Sequence, residues 1–299
     1  MKTKDVVFMD RECLVGEGLY PKIADRVARS LEQKHNISDE DNAERADWRE
    51  LLKDLPESAF EKDQAEVVYF VGCVSSFFPM AQKIPLNMSR IMEKLGVDFT
   101  ILGGEEWCCG YPLVGAGMRD KMESLKEHNL QKVRDIGAKK VVFTCPSCYH
   151  MWRTFYEPDV EILSSSELLQ QLLEEQRPTL KEISAAVTYH DPCDLGRASG
   201  VFDAPREVIK AIPGLRLVEL PSNRQLSICC GGGGNVEMVD PELSAKVAQM
   251  KIEEIRSTGA DMVVSSCQQC LRTIASNARR QRVDLVVKDL TDLVAEALL

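Results

Sequence analysis

The chain has 299 residues, 44% of them hydrophobic and 28% charged, with a formal net charge of -10, which suits a soluble globular protein with two domains of ordinary size. That balance argues against a nucleic-acid or anionic-membrane surface. No apolar run reaches the roughly 18 residues of a spanning helix, and Met1 to Arg11 is too short and too polar for a secretory leader. A cytoplasmic location is expected. In that compartment thiols stay reduced, so eleven cysteines point to metal binding or redox chemistry before a disulfide framework.

Residues 1–64 read as a mostly helical, extended arm with an amphipathic stretch from Tyr20 to Gln33 and an acidic, turn-prone segment from His35 to Glu50. Cys13 has no C-x-x-C companion and is expected as a small, partly buried apolar residue. Trp48 with Leu51 to Leu55 suggests a helix with one apolar face that docks on the body or on a partner. From Glu66 the periodicity changes. Val67 to Val71 form a continuous apolar run ending at Gly72-Cys73, as in a strand buried on both faces. A helix is expected over Ile84 to Leu95, stopped by Gly96, then a strand from Asp98 to Leu102, a loop holding Cys108-Cys109-Gly110, and a helix from Met118 to Ile136 stopped by Gly137. Lys140 to Thr144 form the next strand, and Cys145-Pro146-Ser147-Cys148 leads into a helix.

Residues 157–185 carry the end of this unit and a connection. The plan then repeats: a strand Ala186 to His190 before Asp191-Pro192-Cys193, a helix Pro205 to Ile212, and a strand Arg216 to Leu220. Cys229-Cys230 and Gly231 to Gly234 come next, followed by a helix Pro241 to Arg256, a strand Asp261 to Ser265, and Cys267-Gln268-Gln269-Cys270 entering another helix. The alternation of strand and helix indicates a parallel sheet, and its recurrence an internal duplication. The fold class is therefore α/β, with two tandem, similar Rossmann-like parallel-sheet units, residues 65–184 and 185–299, preceded by the arm of residues 1–64.

Ten cysteines follow this repeat. Cys73, Cys108, Cys109, Cys145 and Cys148 are separated by 34 residues before the adjacent pair and 35 after it; Cys193, Cys229, Cys230, Cys267 and Cys270 by 35 and 36. Loops at the C-terminal ends of parallel strands converge on one crevice, so thiols so far apart in sequence can meet. Iron and sulfide favour thiolates, and five per set is one more than a simple cubane needs. Zinc fits less well, because tetrahedral sites take four ligands and adjacent cysteines are hard to aim at one ion. A dithiol oxidoreductase needs only one pair. Gly231 and Gly232 can bring backbone N-H groups close to cluster sulfur or simply form a loop with positive φ. His150 and His190 flank ligand loops without a regular ligand spacing and are read as packing groups before ligands. Lys126, Glu127 and Arg134 are read as a solvated face.

The motifs Phe70-Val71-Gly72-Cys73, Trp107-Cys108-Cys109-Gly110, Thr144-Cys145-Pro146-Ser147-Cys148-Tyr149, His190-Asp191-Pro192-Cys193, the glycine run and Cys267-Gln268-Gln269-Cys270 resemble the cysteine-rich CCG domain of heterodisulfide reductase, as found in its B subunit and in the C-terminal half of its D subunit. The resemblance covers residues 65–299. It implies a non-cubane 4Fe-4S cluster on the five cysteines of each set, one or two per chain, and cleavage of a disulfide between the clusters in single-electron steps. It further implies a place in a complex with a ferredoxin-like iron-sulfur protein (the C type of that enzyme), a flavin protein (its A type) and a disulfide or thiol substrate, with no nucleic acid and no membrane span. Residues 1–64, especially His35-Asn36 and Glu44 to Trp48, resemble the linker of the D type, which suggests that the arm docks the ferredoxin-like partner. Because Cys230 adjoins the glycine run, the second set, Cys193, Cys229, Cys230, Cys267 and Cys270, is expected to be catalytic and the first set to lack such an opening. The same ligands would also serve a non-catalytic electron-transfer protein that relays electrons between a flavin dehydrogenase and a quinone or other carrier.

Overall fold

The computed structural model describes residues 3–55, 60 and 62–299. The apolar run after Glu66 forms β1 (Val67–Phe70), buried at every position. It is followed by β2 (Phe99–Thr100), β3 (Lys140–Phe143) and β4 (Glu161–Ser164). All pair in parallel in the order β2-β1-β3-β4, with Val67 to Phe70 of β1 in register with Lys140 to Phe143 of β3. The second unit repeats this with β5 (Ala185–Tyr189), β6 (Leu215–Leu217), β7 (Met262–Ser265) and β8 (Val286–Asp289), in the order β6-β5-β7-β8. The strand order turns back between β1 and β3 and again between β5 and β7. Loops leaving the C-terminal ends there diverge and open a crevice.

Alternate residues of β1 feed two different cores. Val67 and Tyr69 pack with the helices Lys83–Lys94 and Ser165–Gln176, whereas Val68 and Phe70 pack under Glu123–Ile136 and Pro146–Met151. The first core is shared by both units. Helix Lys83–Lys94 lies on Leu290–Leu298, and Ser165–Gln176 on Ala204–Ala211. Each pair joins the first crossover helix of one unit to the last helix of the other, the relation expected of a two-fold duplication. Across this seam Asn87 Nδ2 donates to Asp292 Oδ1 at 2.8 Å and Lys83 Nζ lies 2.9 Å from the same carboxylate. The proposed boundary near residue 184 falls in the non-helical link between Gln176 and Ala185.

Several elements differ locally from expectation. Helix Ser165–Gln176 lies in the stretch read as a connection, where a capping box between Ser164 and Glu167 starts it. A turn of 3-10 helix, Arg119–Met122, replaces the first turn expected of the helix that follows the first cysteine pair. Among the described residues no helix is long and apolar enough to cross a membrane.

The arm is helical, with helices Thr3–Gly16 and Ile23–Lys34 and a 3-10 helix Asn42–Leu51, but it is wrapped on the first unit rather than extended. Trp48 is 2% exposed and stands edge-on to Phe60 with ring centroids 5.9 Å apart. Its apolar anchor is therefore taken up by this chain's own core, so that of the two docking sites expected for the Trp48 helix, body or partner, the structure places it on the body. Cys13 is exposed rather than partly buried, because helix Thr3–Gly16 rides on the surface with no buried residue.

That helix is held by Lys4, which pairs with Asp194 at 2.6 Å, by Phe8 and Val15 against the core, and by Arg11. Arg11 donates to the Gly115 carbonyl at 2.5 Å, and Gly117, at φ +80°, passes so close that an added Cβ would collide with the Arg11 carbonyl. Gly117→Ala is accordingly expected to lift the helix, accelerating limited proteolysis before residue 22 several-fold while the melting of the body changes little. An unchanged cleavage rate would mean that the helix is anchored elsewhere.

Candidate functional site

The first set assembles at the C-terminal edge of its sheet. Gly72, at φ +81°, turns the chain out of β1 into the short helix Cys73–Phe77; a Cβ here would press within 3.3 Å of Cys148 Sγ. The adjacent pair follows β2, held by Cys108 N-H donating to the His35 carbonyl at 2.7 Å and Trp107 N-H to Asn129 Oδ1 at 3.0 Å. Cys145 and Cys148 bracket the first turn of Pro146–Met151. The five thiols lie side by side, Cys73 next to Cys108, Cys108 next to Cys109, and Cys148 next to both Cys109 and Cys145.

The second set repeats that connectivity: Cys193 to Cys229 to Cys230 to Cys270 to Cys267. Backbone N-H groups point at sulfur in both sets, from Gly110 to Cys108 and from Gly231 to Cys229 at 3.3 Å. Hydrogen bonds from Cys108 and Cys148 hold the Cys109 thiol down, to about 6. Bonds from Cys193 and Cys230 hold Cys229 well below the ordinary thiol range. All eleven cysteines are free of disulfides.

Charge is supplied to the first set from the arm. Arg45, 1% exposed, donates to Glu106 Oε1 at 2.8 Å and to Cys73 Sγ at 3.4 Å. Glu106 also accepts the N-H groups of Val71 and Gly72 at 2.7 and 2.8 Å. Burial pushes this carboxyl up, and Arg45 and the two N-H groups oppose it. Neither residue is given a role by the sequence alone, although Arg45 lies in the Glu44 to Trp48 stretch that resembles the D-type linker and Glu106 stands two positions before Cys108. Another carboxylate spans the two sets. Asp194, next to Cys193, accepts from Ser147 of the first C-x-x-C at 2.7 Å and from Lys4 at 2.6 Å. Burial alone would raise Asp194, but Lys4 and Ser147 hold it below its usual range. The second unit has its own buried ion pair, Arg206 with Asp191 at 2.7 Å, which fixes the loop before Cys193.

A cavity of about 360 Å³ joins the sets. All five cysteines of the first set line it, with Cys267 of the second set and Gly232 to Gly234 as the opposite wall. The expectation that the first set lacks an opening is thus corrected: the glycine run follows the second pair in sequence but faces the first set in space. Gly232 is tightly placed, since a Cβ would collide with the Thr273 hydroxyl. His190 is 1% exposed, and neither ring nitrogen has a hydrogen-bond partner among the described residues. A ring nitrogen and the Cys230 and Cys270 sulfurs lie within 4.8 Å of one another. Burial pushes this imidazole down, to about 3, so the ring is neutral. His150 instead sits beside Ser199 at 3.4 Å.

The donor set suits iron and sulfide. Five thiols at each site and backbone N-H groups aimed at sulfur match what a thiolate-ligated cluster requires, and the cavity gives the first set room for one. The CCG cysteine-rich domain family matches twice, over residues 67–153 and 187–275. The D subunit of dihydromethanophenazine:CoB--CoM heterodisulfide reductase from Methanosarcina mazei is 35% identical over 292 residues, 94% of this chain and 68% of the relative. The probable iron-sulfur-binding oxidoreductase FadF of Bacillus subtilis is 28% identical over 98% of this chain and 43% of its own length. Among solved structures, a hypothetical protein from Helicobacter pylori superposes with a TM-score of 0.56 at 12% identity, covering 84% of this chain and 53% of that one, a likeness of fold alone. The chain thus spans about two thirds of the first relative and less than half of the second.

Proposed function

This chain belongs to the cysteine-rich CCG domain family and is a homologue of the heterodisulfide reductase D subunit, and from that premise we propose that it is the iron-sulfur catalytic component of a heterodisulfide-reductase-like complex. Its reaction is thiol and disulfide redox chemistry, in which two electrons and two protons convert one S-S bond into two thiols. The proposed ligands are Cys73, Cys108, Cys109, Cys145 and Cys148 in one set and Cys193, Cys229, Cys230, Cys267 and Cys270 in the other, with Gly231 and Gly232 contributing backbone contacts. A non-cubane 4Fe-4S cluster, when bound, supplies one-electron steps to a two-electron cleavage.

The observation that carries the reading is the cavity. A protein that only relays electrons needs no opening at its metal site, whereas a catalytic one must admit a substrate sulfur to it. The 360 Å³ space reaches every thiol of the first set, where a cluster would take part of it, and extends to Gly233 and Gly234, whose missing side chains leave room on the far side for a small disulfide. This supports placing the arriving substrate at the first set and giving the second set, Cys193, Cys229, Cys230, Cys267 and Cys270, the role of electron donor to it. That reverses the order suggested by the glycine run in the sequence. Cys108 and burial push the Cys73 thiol up, and Arg45 beside it opposes them. The proposed sources of electrons are a ferredoxin-like iron-sulfur protein and a flavin protein of the same complex.

Anaerobically purified protein is expected to contain iron and acid-labile sulfide with charge-transfer absorption in the visible range, and little zinc. Elemental analysis with a sulfide assay decides this. Zinc in both sets with a colourless protein would end the cluster reading.

A further inference from the structure

Superposing the two units by their cysteines pairs Phe70 with His190, each three residues before the first cysteine of its set. In the first unit this position belongs to an aromatic cluster: Phe70 lies 5.4 Å from Phe143 and 5.5 Å from Trp152 between ring centroids. The corresponding positions of the second unit, counted from Cys267 and Cys270, are Ser265 and Ile274. One apolar aromatic nest has become a histidine, a serine and an isoleucine.

The backbone of the histidine is fixed on both sides. Its N-H donates to the Val264 carbonyl at 2.9 Å, and its carbonyl accepts from Ser265 Oγ at 3.1 Å. The ring has no comparable partner. Both nitrogens are buried and unbonded, although a buried donor or acceptor is normally satisfied. A ring nitrogen and the sulfurs of Cys230 and Cys270 fall within 4.8 Å of one another, a separation that one tetrahedral or cluster metal can span.

We propose that His190 is a nitrogen ligand of the metal centre held by the second set, alongside Cys230 and Cys270, so that the two sets are chemically unequal: thiolate alone in the first, thiolate and imidazole in the second. The inference rests on the reading that this set holds iron and sulfide. Where the imidazole takes the place of one of the five thiolates at iron, a neutral nitrogen for an anionic sulfur raises the reduction potential, as it does where two histidines replace two cysteines in a two-iron cluster. The second set would then be the easier to reduce, a station where electrons wait.

The test uses the iron-loaded full chain, with its iron and sulfide content measured first. Pulsed electron paramagnetic resonance on protein grown with nitrogen-15 histidine, in the paramagnetic states reached by reduction and by oxidation, reads the coupling directly. The expected result is a strong, isotope-sensitive histidine coupling of the kind given by directly bound imidazole. There are four histidines, so His190→Phe assigns it. That variant restores the residue type of the first set and is expected to remove the coupling, keep the first-set signal, and lower the potential of the second. If His190→Phe fails to fold, the labelled native protein still decides. Iron and sulfide filling both sets with only weak couplings of hydrogen-bonded nitrogen would overturn this inference and leave standing the reading that the second set holds iron and sulfide. Absence of iron from the second set would overturn both.

Discussion

Cys109→Ala is expected to abolish disulfide reduction, by about a hundredfold or more, with either the physiological electron donor or a small artificial one, because it removes a thiolate that lines the cavity and links Cys108 to Cys148. Cys230→Ala is expected to behave differently. Its thiol, one of the second pair, lies outside the cavity lining, so turnover with the physiological partner should fall comparably while a small one-electron reductant that reaches the first set directly retains measurable activity. Each variant needs a folding control, for which the spectroscopic signal of the untouched set serves. The contrast also separates catalysis from relay. If neither substitution affects disulfide reduction yet both block electron passage between flavin and carrier, the chain is a conduit. If activity with the artificial donor survives Cys109→Ala and is lost in Cys230→Ala, the substrate is handled by the second set.

Replacing Arg45 should produce the largest stability loss of any single substitution outside the cysteines. Its guanidinium and the Glu106 carboxylate are almost wholly removed from water, 2.8 Å apart. Arg45→Ala leaves a buried carboxylate with two backbone donors but no counter-charge, and breaking such a pair costs about 3–5 kcal/mol. In a chain of this size that lowers the melting temperature on the order of ten degrees. Arg45→Met with Glu106→Gln should recover much of the loss, since the penalty comes from the orphaned charge rather than from the missing attraction. A second readout belongs to the metal. Without the positive charge beside Cys73, the first-set cluster should be harder to reduce. A melting temperature within about two degrees of native would show that water reaches Glu106 and that the pair is not sealed.

The same residues show why deleting the arm is a poor probe of partner binding. Removing residues 1–60 would take away Arg45, Asn42 and Trp48 together, although Asn42 donates to the carbonyls of Gly104 and Glu106 at 2.6 and 3.1 Å and Trp48 fills core. Loss of binding would then report a damaged first unit. Exposed substitutions on helix Thr3–Gly16, such as Met9 at 56% exposure, test the surface without opening the core.

By itself the sequence determined the duplication, the strand-helix alternation, the parallel sheets and the ten cysteines, because these rest on local period and spacing: a buried parallel strand is a short apolar run, and a loop after such a strand ends on one edge of the sheet. The family resemblance rested on the same short motifs. Only the tertiary structure decided how the sets face. Gly232 to Gly234 follow Cys230 by a few residues yet wall the cavity of the other set, since the crossover helices of each unit pack on the last helix of the other and bring the two sheet edges together. Arg45 lies 28 residues before Cys73 on an acidic, turn-prone segment that resembles a linker; that it is buried against the first set follows from Trp48 and Asn42 anchoring that segment, a long-range packing event with no local period. His190 was visible as a residue beside a ligand loop. That its ring is shut away from water with both nitrogens unbonded depends on what the surrounding elements decline to offer it, which no spacing along one strand can encode.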